Sequence, residues 1–196
     1  MNVEEYLKRG ETYFNQNDFD RAIAEFIEAR RLDPNLAVAK RYLKTAYCNR
    51  GITNFQKGDN EGAITDLTEA IALNPDAQCY GTRAFMHQKM GHYDKALYDW
   101  SEAIRLAPTI AAYNSRAGCY CDKRNEYRAK GDEINYFKYL DLAIKDLEDG
   151  LKIVPANDND TECQTNMRDW LESAKRERES RKKVYEGIKE LKGILK

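Results

Sequence analysis

Histidine is almost missing from this 196-residue chain: only His87 and His92 occur. Two histidines in different local settings give little basis for general acid–base work or a histidine metal site. The chain has no glycine-rich phosphate loop, no dinucleotide turn and no nucleophile elbow. No catalytic residue, metal or cofactor is therefore expected, and the chain reads as not an enzyme. No stretch approaches the roughly 20 apolar residues of a membrane span. The first residues, MNVEEYLKRGE, are polar and acidic, without the apolar core of a signal peptide. These two features predict a cytoplasmic protein without membrane insertion. The net charge is only -1, so no basic field favours nucleic acid. The five cysteines, Cys48, Cys79, Cys119, Cys121 and Cys163, are odd in number and sit in helical pattern, as expected of cytosolic thiols. Cys119 and Cys121 are two apart on a helix and should diverge instead of sharing a metal.

Proline is scarce too, and its four positions carry information. Pro34, Pro75, Pro108 and Pro155 close the phrases EARRLDP, EAIALNP, EAIRLAP and DGLKIVP. Upstream of each lies a bulky aromatic, a small residue four later and, in two of the four, an aromatic three beyond. Ala, a bulky apolar residue and a small residue then lead to Pro. These residues are Tyr6, Gly10, Tyr13, Ala22, Phe26, Ala29 and Pro34 in the first unit. Tyr47, Gly51, Ala63, Leu67, Ala70 and Pro75 follow, with Asn54 at the second aromatic place. The third unit has Tyr80, Ala84, Ala96, Trp100, Ala103 and Pro108, with His87 at that place. The fourth has Tyr113, Ala117, Tyr120, Ala143, Leu147, Gly150 and Pro155. Small residues let paired helices approach, and the proline just past each second helix stops it. Asp18, Asp59 and Asp132 stand where second helices should begin, as caps.

This pattern resembles the tetratricopeptide repeat family over about residues 3 to 155. The resemblance implies an all-α fold: a right-handed α-solenoid of four helical hairpins, with a long C-terminal capping helix. The expected organisation is four repeats within 1–160 (about 3–36, 37–76, 77–109 and 110–156), then an extension helix over 161–196. A repeat of this kind buries its apolar face only by stacking on its neighbours.

The repeats are not equal in length. Seven extra residues around NLAVAKRYLK predict an N-terminal extension of the first helix of repeat 2. Repeat 4 gains seven residues in each helix, almost two turns apiece, which keeps the same faces together and lengthens the hairpin. Tyr127, Tyr136, Phe137 and Tyr139 are expected to pack within that lengthened part. In the tail, Thr161 and Gln164 have capping-box spacing. Met167, Trp170, Leu171 and Ala174 form an apolar face suited to cover repeat 4. KRERESRKK, residues 175–183, has no apolar residue and reads as a solvated helix face. Val184, Ile188, Leu191 and Leu195 then form a short coiled-coil-like seam. Either the helix continues to the seam, or a break near Glu179-Ser180 folds the seam back.

In the family, first helices line a concave groove. Carried across, the groove places include Leu7, Glu11, Phe14, Cys48, Asn49, Ile52, Phe55, Thr82, Phe85, Gln88 and Asn114, with Cys121 and Asp122 further along. The expected function is a non-catalytic scaffold that binds a peptide or helix of a partner protein there. The alternative is a self-associating protein, a homodimer through the tail seam. The family's chaperone-binding members clamp a C-terminal carboxylate. The clamp's Lys and Asn places hold Leu7 and Glu11 here, or Cys48 and Ile52 one repeat on, so that mode is not expected.

Overall fold

The computed structural model describes residues 1–194; for Tyr185, Ile188, Lys189 and residues 191–194 it describes the backbone alone. Every regular element among the described residues is an α-helix. In chain order they are α1 (Val3–Asn15), α2 (Phe19–Leu32), α3 (Ala37–Gln56), α4 (Asn60–Leu73) and α5 (Ala77–Lys89). Then come α6 (Tyr93–Leu106), α7 (Ile110–Ala129), α8 (Glu133–Leu151) and α9 (Asp158–Ile194). The chain forms two compact units, Met1–Met86 and His87 onward, with the boundary inside α5.

In the first unit, α1 packs on α2 and α3 on α4, with α2 and α3 also in contact. Its core holds Ala22, Ile23, Phe26, Leu43 and Ala46, with Ala63, Leu67 and Ala70 equally buried. Gly10 is where the motif needs a small residue, because a Cβ there would stand 2.4 Å from the Phe26 ring. Asp18 and Asp59 cap α2 and α4, accepting the Arg21 and Gly62 backbone N–H groups. Asn17 takes the left-handed backbone at the α1–α2 turn (φ 59°), where an Asn is tolerated better than most residues. α3 runs for 20 residues against 13 for α1, so NLAVAKRYLK is indeed largely helical extension.

In the second unit, α7 has 20 residues and α8 has 19, against 14 in α6. Asp132 caps α8 through the Asn135 N–H. The two gains match, which an ion pair records. Arg9 on α1 meets Glu25 on α2, and Arg50 on α3 meets Asp66 on α4, each across 16 positions. Arg116 on α7 holds Asp146 on α8 through two bonds of 2.7 Å, now across 30. The added residues lie between the partners, on the turn side, and leave the pairing intact. Asp66 and Asp146 are buried, so each guanidinium fork answers a carboxylate that could not stand unpaired.

α9 runs as one helix, so the expected alternative of a break near Glu179-Ser180 does not occur. Its first half does what its apolar spacing predicts: Met167 and Leu171 are buried in a core with Ile110, Ala117, Cys121, Ala143 and Leu147, and Trp170 packs beside them. Ala174 closes on Tyr136, Phe137 and Leu140. Two expectations need correction. The helix starts at Asp158, with Asn157 accepting the Asp160 N–H at 2.9 Å, so Thr161 is not the cap. Gln164 is buried and donates to the carbonyls of Gly150, Leu151 and Ile153, satisfying the end of α8. The stretch 175–183 is also not merely a solvated face. Lys175 pairs with Glu148, Arg178 with Asp141 and Arg181 with Glu133. Glu177 takes Arg124 and the Tyr136 hydroxyl.

Candidate functional site

The first-helix residues of the first unit fall into three groups. Leu7 and Phe14 on α1 are half-buried and pack against the α2–α3 core, Phe14 lying edge-on to Phe19 with ring centres 5.6 Å apart. Glu11 is half-buried beside Tyr42, whose phenol it pushes up by hydrogen bonding, with burial adding to the effect. Asn49 and Thr82 are half-buried. Ile52 and Phe85 are exposed, at 37% and 46% of their surface. Phe55, one turn beyond Ile52, is half-buried and meets Phe85 edge-on at 6.4 Å. Ile52, Phe55 and Phe85 therefore make an apolar patch contributed by α3 and α5. Cys48, one turn before Ile52, has its Sγ 2.8 Å from that of Cys79 on α5.

A second, polar hollow of about 380 Å³ lies where the α1–α2 turn meets the end of α3. Arg50 and Lys57 enter it with Asp18 and Asp20. Arg50 is already taken by Asp20 and Asp66. These carboxylates hold it charged, far above any working pH. The hollow is polar and balanced in charge.

In the second unit, Gln88 donates to Asp122 at 2.7 Å, so both candidate groove residues are engaged with each other. Asn114 is half-buried. Cys121 does not belong to an open face: it lies in the α7–α8–α9 core. Burial pushes its thiol up to about 11 and that of Cys119 to about 12. Cys119 points instead to the Tyr93 carbonyl at the start of α6, so the two sulfurs diverge as expected. His87 is buried and His92 is exposed at the turn before α6, their rings 5.9 Å apart. Among the described residues no group of three or more His, Cys, Asp or Glu could hold a metal. No helix among them is long and apolar enough to cross a membrane. In the tail seam Val184 is exposed, while the side chains of Ile188, Leu191 and Leu195 lie outside those described.

The family description Tetratricopeptide repeat matches residues 3–36, 45–77 and 77–110, half of the chain. The chain belongs to the tetratricopeptide repeat family. A crystal structure of MamA is 30% identical, aligned over 78% of this chain and 82% of that one, with a TM-score of 0.45. MamA from Desulfovibrio magneticus RS-1 is 20% identical over 72% and 75%, with a TM-score of 0.43. The first TPR of Spaghetti (RPAP3), bound to an HSP90 peptide, is 22% identical over 60% and 89%, with a TM-score of 0.41. No curated protein matches the sequence. The tetratricopeptide assignment accounts for Gly10, Gly51 and the buried alanines. The repeated Arg-to-carboxylate pairs were missed in the sequence, although a fixed spacing of 16 between Arg9 and Glu25 and between Arg50 and Asp66 was there to be found.

Proposed function

We propose that this tetratricopeptide protein is a non-catalytic scaffold that binds an apolar segment of a partner protein on its first-helix face, in the cytoplasm. The observation that carries the reading is the patch of Ile52, Phe55 and Phe85. Two exposed apolar side chains and a half-buried ring, drawn from two successive first helices, suit one or two apolar anchors of a peptide or helix. Half-buried Asn49 and Thr82 stand beside the patch as polar groups able to set a peptide's register. Leu7 and Phe14 serve mainly the core in this reading, and Glu11 holds Tyr42. A clamp for a C-terminal carboxylate is not part of it, since Leu7 and Glu11 stand at the clamp's Lys and Asn places. Five free thiols, three of them buried, suit a reducing compartment.

A pull-down from the native cytosol with the wild type and a Phe55→Ala/Phe85→Ala variant tests the proposal. A specific protein should be captured by the wild type and lost by the variant. Phe85→Ala alone should cost far less stability than Phe26→Ala, for which a buried ring implies about 3–5 kcal/mol. Equal capture by both proteins, or a Phe85→Ala melt as low as that of Phe26→Ala, would remove the patch as the binding face.

A further inference from the structure

We propose that Cys48 and Cys79 form a reversible redox site, in which a peroxide converts the two thiols to a disulfide that ties α3 to the first turn of α5. The two sulfurs are 2.8 Å apart while both residues are free thiols. A disulfide needs about 2.05 Å, so small rotations about the side-chain bonds bring them together. The backbones on either side are already fixed to each other. Lys44, one turn before Cys48, pairs with Asp76, and Asp76 accepts the Cys79 N–H at 2.7 Å. The pocket around them is apolar, built from Ala70, Ile71, Tyr47 and Tyr80. Cys48 is half-buried and Cys79 is buried, which gives one thiol open to a small oxidant and one behind it.

The chemistry separates the same way. Hydrogen bonding with Cys79 lowers the Cys48 thiol against the cost of burial, and the Lys44 charge helps. Cys79 is raised by its bond to Cys48 and by burial. Cys48, the more open of the two, is the sulfur that meets the oxidant, and Cys79 behind it is the thiol that resolves. The Cys48 sulfur displaces hydroxide from hydrogen peroxide, breaking the O–O bond and leaving a sulfenic acid; the hydroxide takes up the thiol's proton as water. The Cys79 sulfur then attacks the Cys48 sulfur, the S–O bond breaks, and the departing hydroxide leaves with the Cys79 proton as a second water. The pair loses two electrons and one peroxide is reduced to two waters. Burial raises the Cys119, Cys121 and Cys163 thiols, which keeps them less reactive. Because Cys48 stands one turn from Ile52, the cross-link would hold α3 and α5 together beside the apolar patch.

The full chain is treated with dilute hydrogen peroxide, its remaining thiols are alkylated, and tryptic peptides are read by mass spectrometry. The expected product joins residues 45–50 to residues 58–83, two hydrogens lighter than the separate peptides, and is lost on treatment with dithiothreitol. It should form at a dose that leaves Cys163 open to alkylation. In Cys79→Ser, a sulfenic acid should persist on Cys48 and be captured by dimedone; in Cys48→Ser, Cys79 should stay unmodified. Oxidation of Cys163 before any linked peptide appears would overturn the proposal. So would a wild-type Cys48 that proceeds to sulfinic acid without linking to Cys79. The linked peptide is measured on the natural chain, so the result stands even if a variant folds poorly.

Discussion

At Gly10, a single methyl group decides whether α1 and α2 can pair. A Cβ would press on three carbons of the fully buried Phe26 ring, the nearest at 2.4 Å. Gly10→Ala should therefore cost about 1–3 kcal/mol through overpacking, read as a lower melting temperature; an unchanged melt would mean the ring can step aside. Asp18 gives a prediction in pH. The Arg21 side chain, then its backbone N–H, holds the Asp18 carboxylate below its ordinary 3.8. A depressed carboxylate contributes its stability in full above the unfolded value and loses it as the pH falls through the folded one. The Arg21 amide signal should thus stay flat from pH 7 to 5 and shift with a midpoint below 3.8. A shift centred at higher pH would contradict the cap. Gly10 and the Asp caps were legible in the sequence because their causes are local: a helix start, a small residue opposite a ring. The openness of each groove residue was not. A place in a repeat points a side chain toward a face, but neighbours decide what remains open. Phe14 is half-covered by Phe19, Phe85 stays exposed, and Cys121 is closed off by α9.

Among the elements, α9 departs furthest from its sequence pattern. Its 37 residues correspond to about 55 Å of axis. The first half is held by Met167, Leu171 and Ala174, and the second by charge. Lys175, Arg178 and Arg181 meet Glu148, Asp141 and Glu133 on α8. Surface ion pairs of this kind weaken with salt, whereas apolar burial does not. Raising sodium chloride to about 1 M, where the Debye length is about 3 Å, should speed amide exchange over 175–183 and leave 164–174 protected. Equal protection in both halves at high salt would show that charge is not what holds the second half. The apolar half was readable from spacing along one helix. The charged half was not, because each partner lies 27 to 48 residues away on another helix. Lys175, Arg178 and Arg181 recur every three residues, but that spacing names no partner. Gln164 was misread for the same reason: its partners are the carbonyls ending α8, 11 to 14 residues back.

For the whole molecule, the order of helices and the unequal repeat lengths were legible, since seven-residue gains announce themselves against a regular period. The tail seam can be tested in solution. α9 carries Val184, 53% exposed, beyond the Arg181–Glu133 pair in one unbroken helix. If the seam makes a homodimer, the full chain should sediment as a dimer at micromolar concentration and a Leu191→Asp/Leu195→Asp variant as a monomer; a monomer in both removes self-association. The matched gains in α7 and α8 bear on how such a chain can change its length. Two turns in one helix alone would offset Arg116 from Asp146 by about 10 Å along the axis, with the faces still nearly aligned. Two turns in both leave the pair and the turn as they were. A change of length in this hairpin is therefore expected to be accepted as a paired step of seven, since seven residues are almost two helical turns. Taking such a step back would shorten α7 to the 13 residues of α1 and α5. The repeat would still close, yet Tyr136, Phe137 and Glu133 would go with the lost turns. α9 would then extend beyond its support: the stretch of α9 that is held is set by the turns that α7 and α8 add together.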